Sequence, residues 1–90
     1  MTKREEVENH LKVLNPADPG QAIVLEYGKL WLIADSLHAE LDGEPAETAL
    51  RITGELAKEL FSFAYGGGSF EKAKQHLKGV GQRLDELKNN

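Results

Sequence analysis

The stretch DPGQAIVLEYGKLWLIADSLHAEL, residues 18–41, carries the clearest helical pattern in the chain. It opens with Asp18 as a candidate N-cap and Pro19 at the first helical position, where each residue type is favoured. Apolar residues then recur at alternating spacings of four and three, which predicts one helix of about 23 residues, roughly 35 Å long. This stripe consists of Ile23, Tyr27, Leu30, Ala34, Leu37 and Leu41.

Three more helices are predicted on either side of this stretch. Thr2 lies three residues before Glu5, a capping-box pattern, and predicts a short helix at about 2–14 that ends before Asn15 and Pro16. The sequence LDGEPAE breaks the long helix at Gly43, and a wide apolar face follows over about 46–65. A last stripe runs through Phe70, Ala73, Leu77, Val80, Leu84 and Leu87, and predicts a helix at about 70–88.

These four segments predict an all-α fold. The connection between the second and third helices is only a few residues long, so these helices are expected to pack antiparallel. The fold class predicted is an antiparallel up-down-up-down four-helix bundle, with the third helix the most buried because its apolar face is wide enough for two neighbours. The 90 residues are expected to form a single domain.

Composition argues against several classes of function. Eleven Lys and Arg are scattered among fifteen Asp and Glu, so no basic stripe is available for nucleic acid. The chain has no cysteine, which excludes a disulfide framework and a thiolate site. The N-terminus is charged where a signal peptide needs an apolar run, and no apolar run is long enough for a membrane span. These features predict a cytoplasmic protein.

The glycines at Gly66, Gly67 and Gly68 interrupt the apolar pattern between the third and fourth helices. A phosphate-binding P-loop needs a preceding strand and a lysine within the motif, and this segment has neither. A helix corner explains all four residues of the GGGS sequence: Gly66 ends one helix in the left-handed region, the next two glycines turn the chain, and Ser69 caps the fourth helix. A linker and a phosphate site are the less favoured alternatives.

Catalytic and metal-binding patterns are weak. Asp35 and His38 have the spacing of half a carboxylate di-iron site, but no second copy accompanies them, so no metal is predicted. Ser36, Ser62 and Ser69 do not lie on a strand-to-helix elbow. We therefore expect no enzyme activity, no cofactor and no small-molecule substrate.

Aromatic residues cluster near the middle of the two longest predicted helices. Their helical spacing favours core packing over a ligand site, with Trp31 or Tyr65 as candidate exposed anchors. The set consists of Tyr27, Trp31, Phe61, Phe63 and Tyr65.

The order of these features resembles the immunity proteins of pediocin-like bacteriocins, the enterocin A immunity group. In that family a helix that ends in an acidic Pro/Gly corner is followed by an apolar helix with an aromatic end, and then by a helix that starts with phenylalanine. The layout matches over about 7–88. The matching residues are Leu41, Asp42, Gly43, Glu44, Pro45, Leu60, Phe61, Phe63, Ala64, Tyr65, Phe70 and Leu77.

The resemblance implies a cytoplasmic four-helix bundle that protects a lactic acid bacterium from a pore-forming peptide. Members of the family are thought to engage the mannose phosphotransferase permease when the bacteriocin is bound, without degrading the toxin. Family specificity lies in the C-terminal half, so the candidate partner-binding residues are Tyr65, Gly66, Gly67, Gly68, Ser69 and Phe70. The alternative is a small helical adaptor or regulator that binds a soluble protein.

Overall fold

The computed structural model describes residues 2–65 and 69–89, and these residues form four α-helices without a strand. In chain order the helices are α1 (Lys3–Lys12), α2 (Pro19–Glu40), α3 (Gly43–Ala64) and α4 (Phe70–Lys88). The predicted all-α class is confirmed, and so is the number of helices in the described residues.

The helix starts predicted from sequence are confirmed at α1 and α2. The Glu5 amide donates to the Thr2 hydroxyl at 3.2 Å. The amides of Gly20 and Gln21 donate to the Asp18 carboxylate at 2.9 and 3.1 Å. Both side chains therefore satisfy amides that have no acceptor within their own helix.

The first helix is shorter than predicted, because it ends at Lys12 and not at residue 14. The Leu14 amide reaches the Leu11 carbonyl, only three residues earlier, at 3.3 Å. The Asn15 side chain then accepts from the Ala17 amide at 3.0 Å and forms an Asx turn. The local hydrogen bonds of Asn15 compete with a further helical turn, so α1 has only 10 residues.

The third helix begins at Gly43, three residues before the predicted start at 46. Gly43 has a φ of 65°, which glycine adopts without a Cβ clash. Pro45 lies in the first turn, where a missing amide proton removes no intrahelical hydrogen bond. The link between α2 and α3 is therefore only Leu41 and Asp42.

The core is built by α2, α3 and α4. Its buried apolar side chains come from the α2 stripe and from α3 and α4. Leu30 and Leu41 of that stripe, and Leu60 of α3, are only partly buried and pack against this core. The buried members are Ile23, Tyr27, Ala34, Leu37, Ala49, Ile52, Leu56, Ala73, Val80 and Leu84. Helix α2 packs against the other three helices, whereas α1 approaches the backbone of α2 and of no other helix in the described part of the chain.

The prediction that α3 is the most buried helix is wrong, because α2 holds the central position. One side of α3 has no helix packed on it, and Leu50 on that side is 52% exposed. The short α1 lies on α2 and stays away from α3, so the wide apolar face of α3 is only partly covered.

Candidate interaction surface beside the aromatic end of α3

The candidate partner-binding residues that the structure describes lie at the junction of α3 and α4. Tyr65 is the C-cap of α3, Ser69 is the N-cap of α4, and Phe70 is the first residue of α4. Gly66, Gly67 and Gly68 lie outside the described residues, and with them lies the predicted left-handed cap at Gly66. The described part of the junction consists of the end of α3 and the start of α4.

The outer flank is an exposed aromatic pair. The rings of Phe61 and Tyr65 stack with centroids 6.2 Å apart and an interplanar angle of 4°. Phe61 is 60% exposed and Tyr65 is 84% exposed, so the prediction that they belong to the core is wrong, although Tyr65 was also a candidate exposed anchor. They lie one turn apart on the side of α3 that has no packed helix, and helical spacing alone cannot show which side of a helix is covered.

The inner flank consists of Phe63, which packs against the core, and Phe70, which is 44% exposed. Phe63 and Phe70 meet edge to face, with centroids 5.4 Å apart and an interplanar angle of 84°. This geometry is favourable for aromatic pairs, so the contact stabilises the packing of the end of α3 against the start of α4. The two aromatic residues next to the corner thus differ in role, because Phe70 takes part in helix packing and Tyr65 faces outward.

Ser69 occupies the predicted N-cap position, but its side chain makes no capping hydrogen bond in the described residues. Its backbone carbonyl accepts from the Ala73 amide at 2.9 Å and so starts the helical ladder. The predicted capping role of the hydroxyl is therefore wrong, although the helix boundary is confirmed.

An apolar groove runs between α1 and α3, with α2 as its floor. Its volume is about 540 Å³, and the Phe61 and Tyr65 pair forms part of its wall. We call it the α1–α3 groove. Its lining residues are Lys3, Glu6, Val7, His10, Leu11, Val24, Tyr27, Gly28, Trp31, Leu56, Ala57, Leu60, Phe61 and Tyr65.

The wall formed by α1 is attached to α2 at two points. At the first, Leu11 lies directly over Gly28, and a Cβ built at Gly28 would collide with the Leu11 side chain. At the second, Arg4 donates to the Leu32 carbonyl at 3.1 Å and to the Asp35 carboxylate at 3.3 Å. The groove therefore depends on close contact at a glycine and on one arginine.

A buried tyrosine of the groove floor meets a histidine of α4. The Tyr27 hydroxyl and Nδ1 of His76 are 3.3 Å apart, and their rings are 5.9 Å apart. Burial raises the pKa of Tyr27, and the nearby charge of Glu59 raises that pKa further. Sequence reasoning placed Tyr27 in the core but gave His76 no role; the signal available was that a buried tyrosine hydroxyl needs a hydrogen-bond partner.

Asp35 and His38 each have a different partner, and they do not act as a pair. Asp35 accepts from Arg4, and Nδ1 of His38 lies 3.2 Å from the Ala46 carbonyl oxygen. Within residues 2–65 and 69–89, no group of three or more potential ligand side chains is arranged to hold a metal ion. In the structure Asp35 contacts α1 and His38 contacts α3, so their three-residue spacing serves two separate helix contacts.

None of the four helices, over the residues described, combines the length and the apolar composition needed to cross a membrane. Comparison of the chain with protein-family models, with curated proteins and with solved structures found no match in any of the three.

Proposed function

We propose that this chain acts by binding another protein through the Phe61 and Tyr65 pair and the adjoining α1–α3 groove. The observation that carries this proposal is the exposure of two stacked aromatic rings, 60% and 84%, at the edge of an apolar groove of about 540 Å³. Exposed apolar patches of this kind mark interaction sites, and aromatic side chains are enriched at the energetic centres of interfaces.

The specific form of this function that the sequence resemblance implies is bacteriocin immunity. In that form the chain is cytoplasmic and engages the mannose phosphotransferase permease when a pore-forming peptide is bound, so that protection comes from occupancy of the receptor. The exposed end of α3 lies in the half of the chain that carries specificity in the family, and this supports the proposal.

The proposal includes the up-down-up-down antiparallel arrangement. For α1 and α2 it is supported by two contacts, since Arg4 near the start of α1 meets Asp35, while Leu11 near its end meets the earlier Gly28. For α3 and α4 it is supported by the Phe63–Phe70 pair at one end and by an ion pair further along. That ion pair joins Arg83 and Glu55 at 2.9 Å.

The immunity form is tested by expression in strains sensitive to pediocin-like peptides. The wild-type chain is expected to lower sensitivity to one subclass of these peptides. Tyr65→Ser is expected to remove that protection, while Val13→Ser retains it. Val13 is the matched control because it is also a highly exposed apolar residue, at 76%, but does not line the groove.

Two controls make the result interpretable. The amount of soluble protein is measured in every strain, and helix content is compared by circular dichroism, so that loss of the fold is not mistaken for loss of contact. Sensitivity that the wild-type chain leaves unchanged for every peptide would refute the immunity form. Equal protection by the two serine variants would refute the aromatic surface.

The alternative form is an adaptor that binds a soluble protein. It is favoured by the same groove, because an apolar channel between two helices suits an amphipathic helix of a partner. A photoreactive phenylalanine analogue at position 65, and in a separate variant at position 13, is tested in cells of the source organism. A partner adduct that forms at 65 and not at 13 would support this form, and identical adducts at both positions would contradict it.

A further inference from the structure

The uncovered side of α3 carries a continuous row of five residues that we call the α3 stripe. They lie within a sector of about 80° on the helix surface, at 100° per residue. Three are large and exposed, namely Leu50 at 52%, Phe61 and Tyr65, and two are small. The stripe consists of Leu50, Gly54, Ala57, Phe61 and Tyr65.

The small residues of the stripe border a cavity. Gly54 and Ala57 line an open space of about 440 Å³ together with Leu50 and Trp31, and with the charged residues Lys3, Arg4 and Asp35. A Cβ built at Gly54 would meet nothing within 4 Å, so the space above this glycine is open. Phe61 projects from the same face of the same helix two turns further on, roughly 10.5 Å along the axis.

The arrangement is symmetric about the midpoint between residues 57 and 58. Gly54 and Phe61 lie equally far from this midpoint, and so do Leu50 and Tyr65. If two such helices met antiparallel about a two-fold axis at the midpoint, each residue of one copy would face the residue of the other copy that lies equally far on the opposite side of the midpoint. Phe61 would face the open space at Gly54, and Leu50 would face Tyr65.

We propose that the α3 stripe is a self-association surface, and that its occupant is the α3 stripe of a second copy of this chain. The Phe61 ring of each copy enters the cavity beside Gly54 of the other, so the interface is isologous and closes as a dimer. The dimer uses Phe61 and Tyr65, which also belong to the surface of the proposed function, so self-association and partner binding compete for these residues. The tests below use the purified chain alone, so this inference can fail without the proposed function failing.

The three large side chains of the α3 stripe supply about half the area of a standard dimer interface. An aromatic side chain can bury ~200 Å², so the exposed fractions of Leu50, Phe61 and Tyr65 sum to roughly 400 Å² per copy. A standard interface buries about 800 Å² per partner, so the other half of the buried area must come from residues that surround the stripe.

The two-fold axis also brings the exposed Lys58 of one copy near Lys58 of the other copy. Because these like charges repel, added salt should strengthen the dimer.

The first test separates self-association from folding. Gly54→Gln fills the cavity with a polar side chain that favours helix, and Gly79→Gln makes the same change in α4, where a Cβ also meets nothing within 4 Å. By sedimentation equilibrium, the wild type and Gly79→Gln should show a concentration-dependent monomer–dimer equilibrium. Gly54→Gln should raise the dimer dissociation constant about ten-fold or more. A monomeric wild type at the highest soluble concentration, or equal association of the two variants, would overturn the proposal.

The second test measures orientation, and the absence of native cysteine makes it direct. Lys58→Cys and Leu50→Cys are prepared separately and treated with a short homobifunctional thiol cross-linker. Lys58→Cys should give covalent dimer, because position 58 lies beside the two-fold axis. Leu50→Cys should not, because its two sulfurs would be about 22 Å apart along the helix axes. Cross-linking that is equal at both positions, or absent at position 58, would overturn the antiparallel stripe.

Discussion

Gly28 sets how closely α1 approaches α2, and replacing it with alanine should loosen α1 without unfolding the core. In the structure an added Cβ would collide with one methyl group of Leu11 and lie 3.1 Å from two further atoms of that side chain. Leu11 must therefore change rotamer, or α1 must move away from α2. Overpacking of this kind costs about 1–3 kcal/mol.

Helix propensity opposes this packing cost in the free energy of unfolding. Alanine is favoured over glycine inside a helix by about 1 kcal/mol. Gly28→Ala should therefore lower the free energy of unfolding by ~0–2 kcal/mol, the difference between the packing and helix-propensity effects. Gly79→Ala has only the favourable effect, because its new Cβ meets nothing within 4 Å, and it should raise the free energy of unfolding by about 1 kcal/mol.

The assay combines urea denaturation with amide hydrogen exchange. The exchange of α1 amides should accelerate in Gly28→Ala and stay unchanged in Gly79→Ala, because only the first replacement disturbs the contact with α2. In a Leu11→Ala background the collision is absent, so Gly28→Ala should become stabilising there, a coupling that a double-mutant cycle measures. If Gly28→Ala stabilises the wild-type chain as much as Gly79→Ala does and leaves α1 exchange unchanged, the close contact does not hold α1.

Two further predictions concern the core. Leu56→Ala removes a fully buried side chain and should lower the free energy of unfolding by about 2–5 kcal/mol, whereas Leu50→Ala, measured in dilute protein, should change it by less than ~0.5 kcal/mol. Tyr27→Phe should cost about 0.5–1.5 kcal/mol at neutral pH by removing the hydrogen bond to His76. Because the folded pKa of Tyr27 is raised above 10.0, the wild-type free energy of unfolding should decline as pH rises above about 10, and the contribution of Tyr27 to this decline should be absent from the phenylalanine variant. An unchanged alkaline slope in urea melts would contradict the assignment to Tyr27.

Helices and their starts could be predicted because their causes are local. Asp18 satisfies amides two and three residues away, and Thr2 satisfies one three residues away. The periodic spacing of Ile52 and Leu56 likewise selects one face of a helix without reference to the rest of the chain. The end of α1 was harder to predict, because hydrogen bonds made by Asn15 compete there with continuation of the helix.

The candidate surface could be predicted only in part, because it depends on which faces have neighbours. Phe61 and Phe63 are two residues apart and equally apolar, yet Phe63 packs against the core and Phe61 is exposed. The difference arises because α1 ends after 10 residues and lies on α2, so no helix covers the side of α3 that carries Phe61. The resemblance to immunity proteins pointed to Tyr65 at this end of α3, but the α1–α3 groove required three-dimensional coordinates.

Three glycines inside helices, Gly28, Gly54 and Gly79, differ in what surrounds the position of the missing side chain. At Gly28 the helix-propensity cost of glycine, about 1 kcal/mol, is offset by the packing of Leu11. At Gly54 no described residue lies within 4 Å of the position of the missing side chain. The residues one turn before and two turns after it on the same face are the exposed Leu50 and Phe61. Gly79 is equally open, but its neighbours one turn away, Gln75 and Arg83, are polar, and nothing in the structure explains why glycine is present there. An open glycine between large exposed apolar residues is the arrangement expected where a side chain from another molecule supplies the missing contact, and this distinguishes Gly54 from Gly79 before any measurement of association.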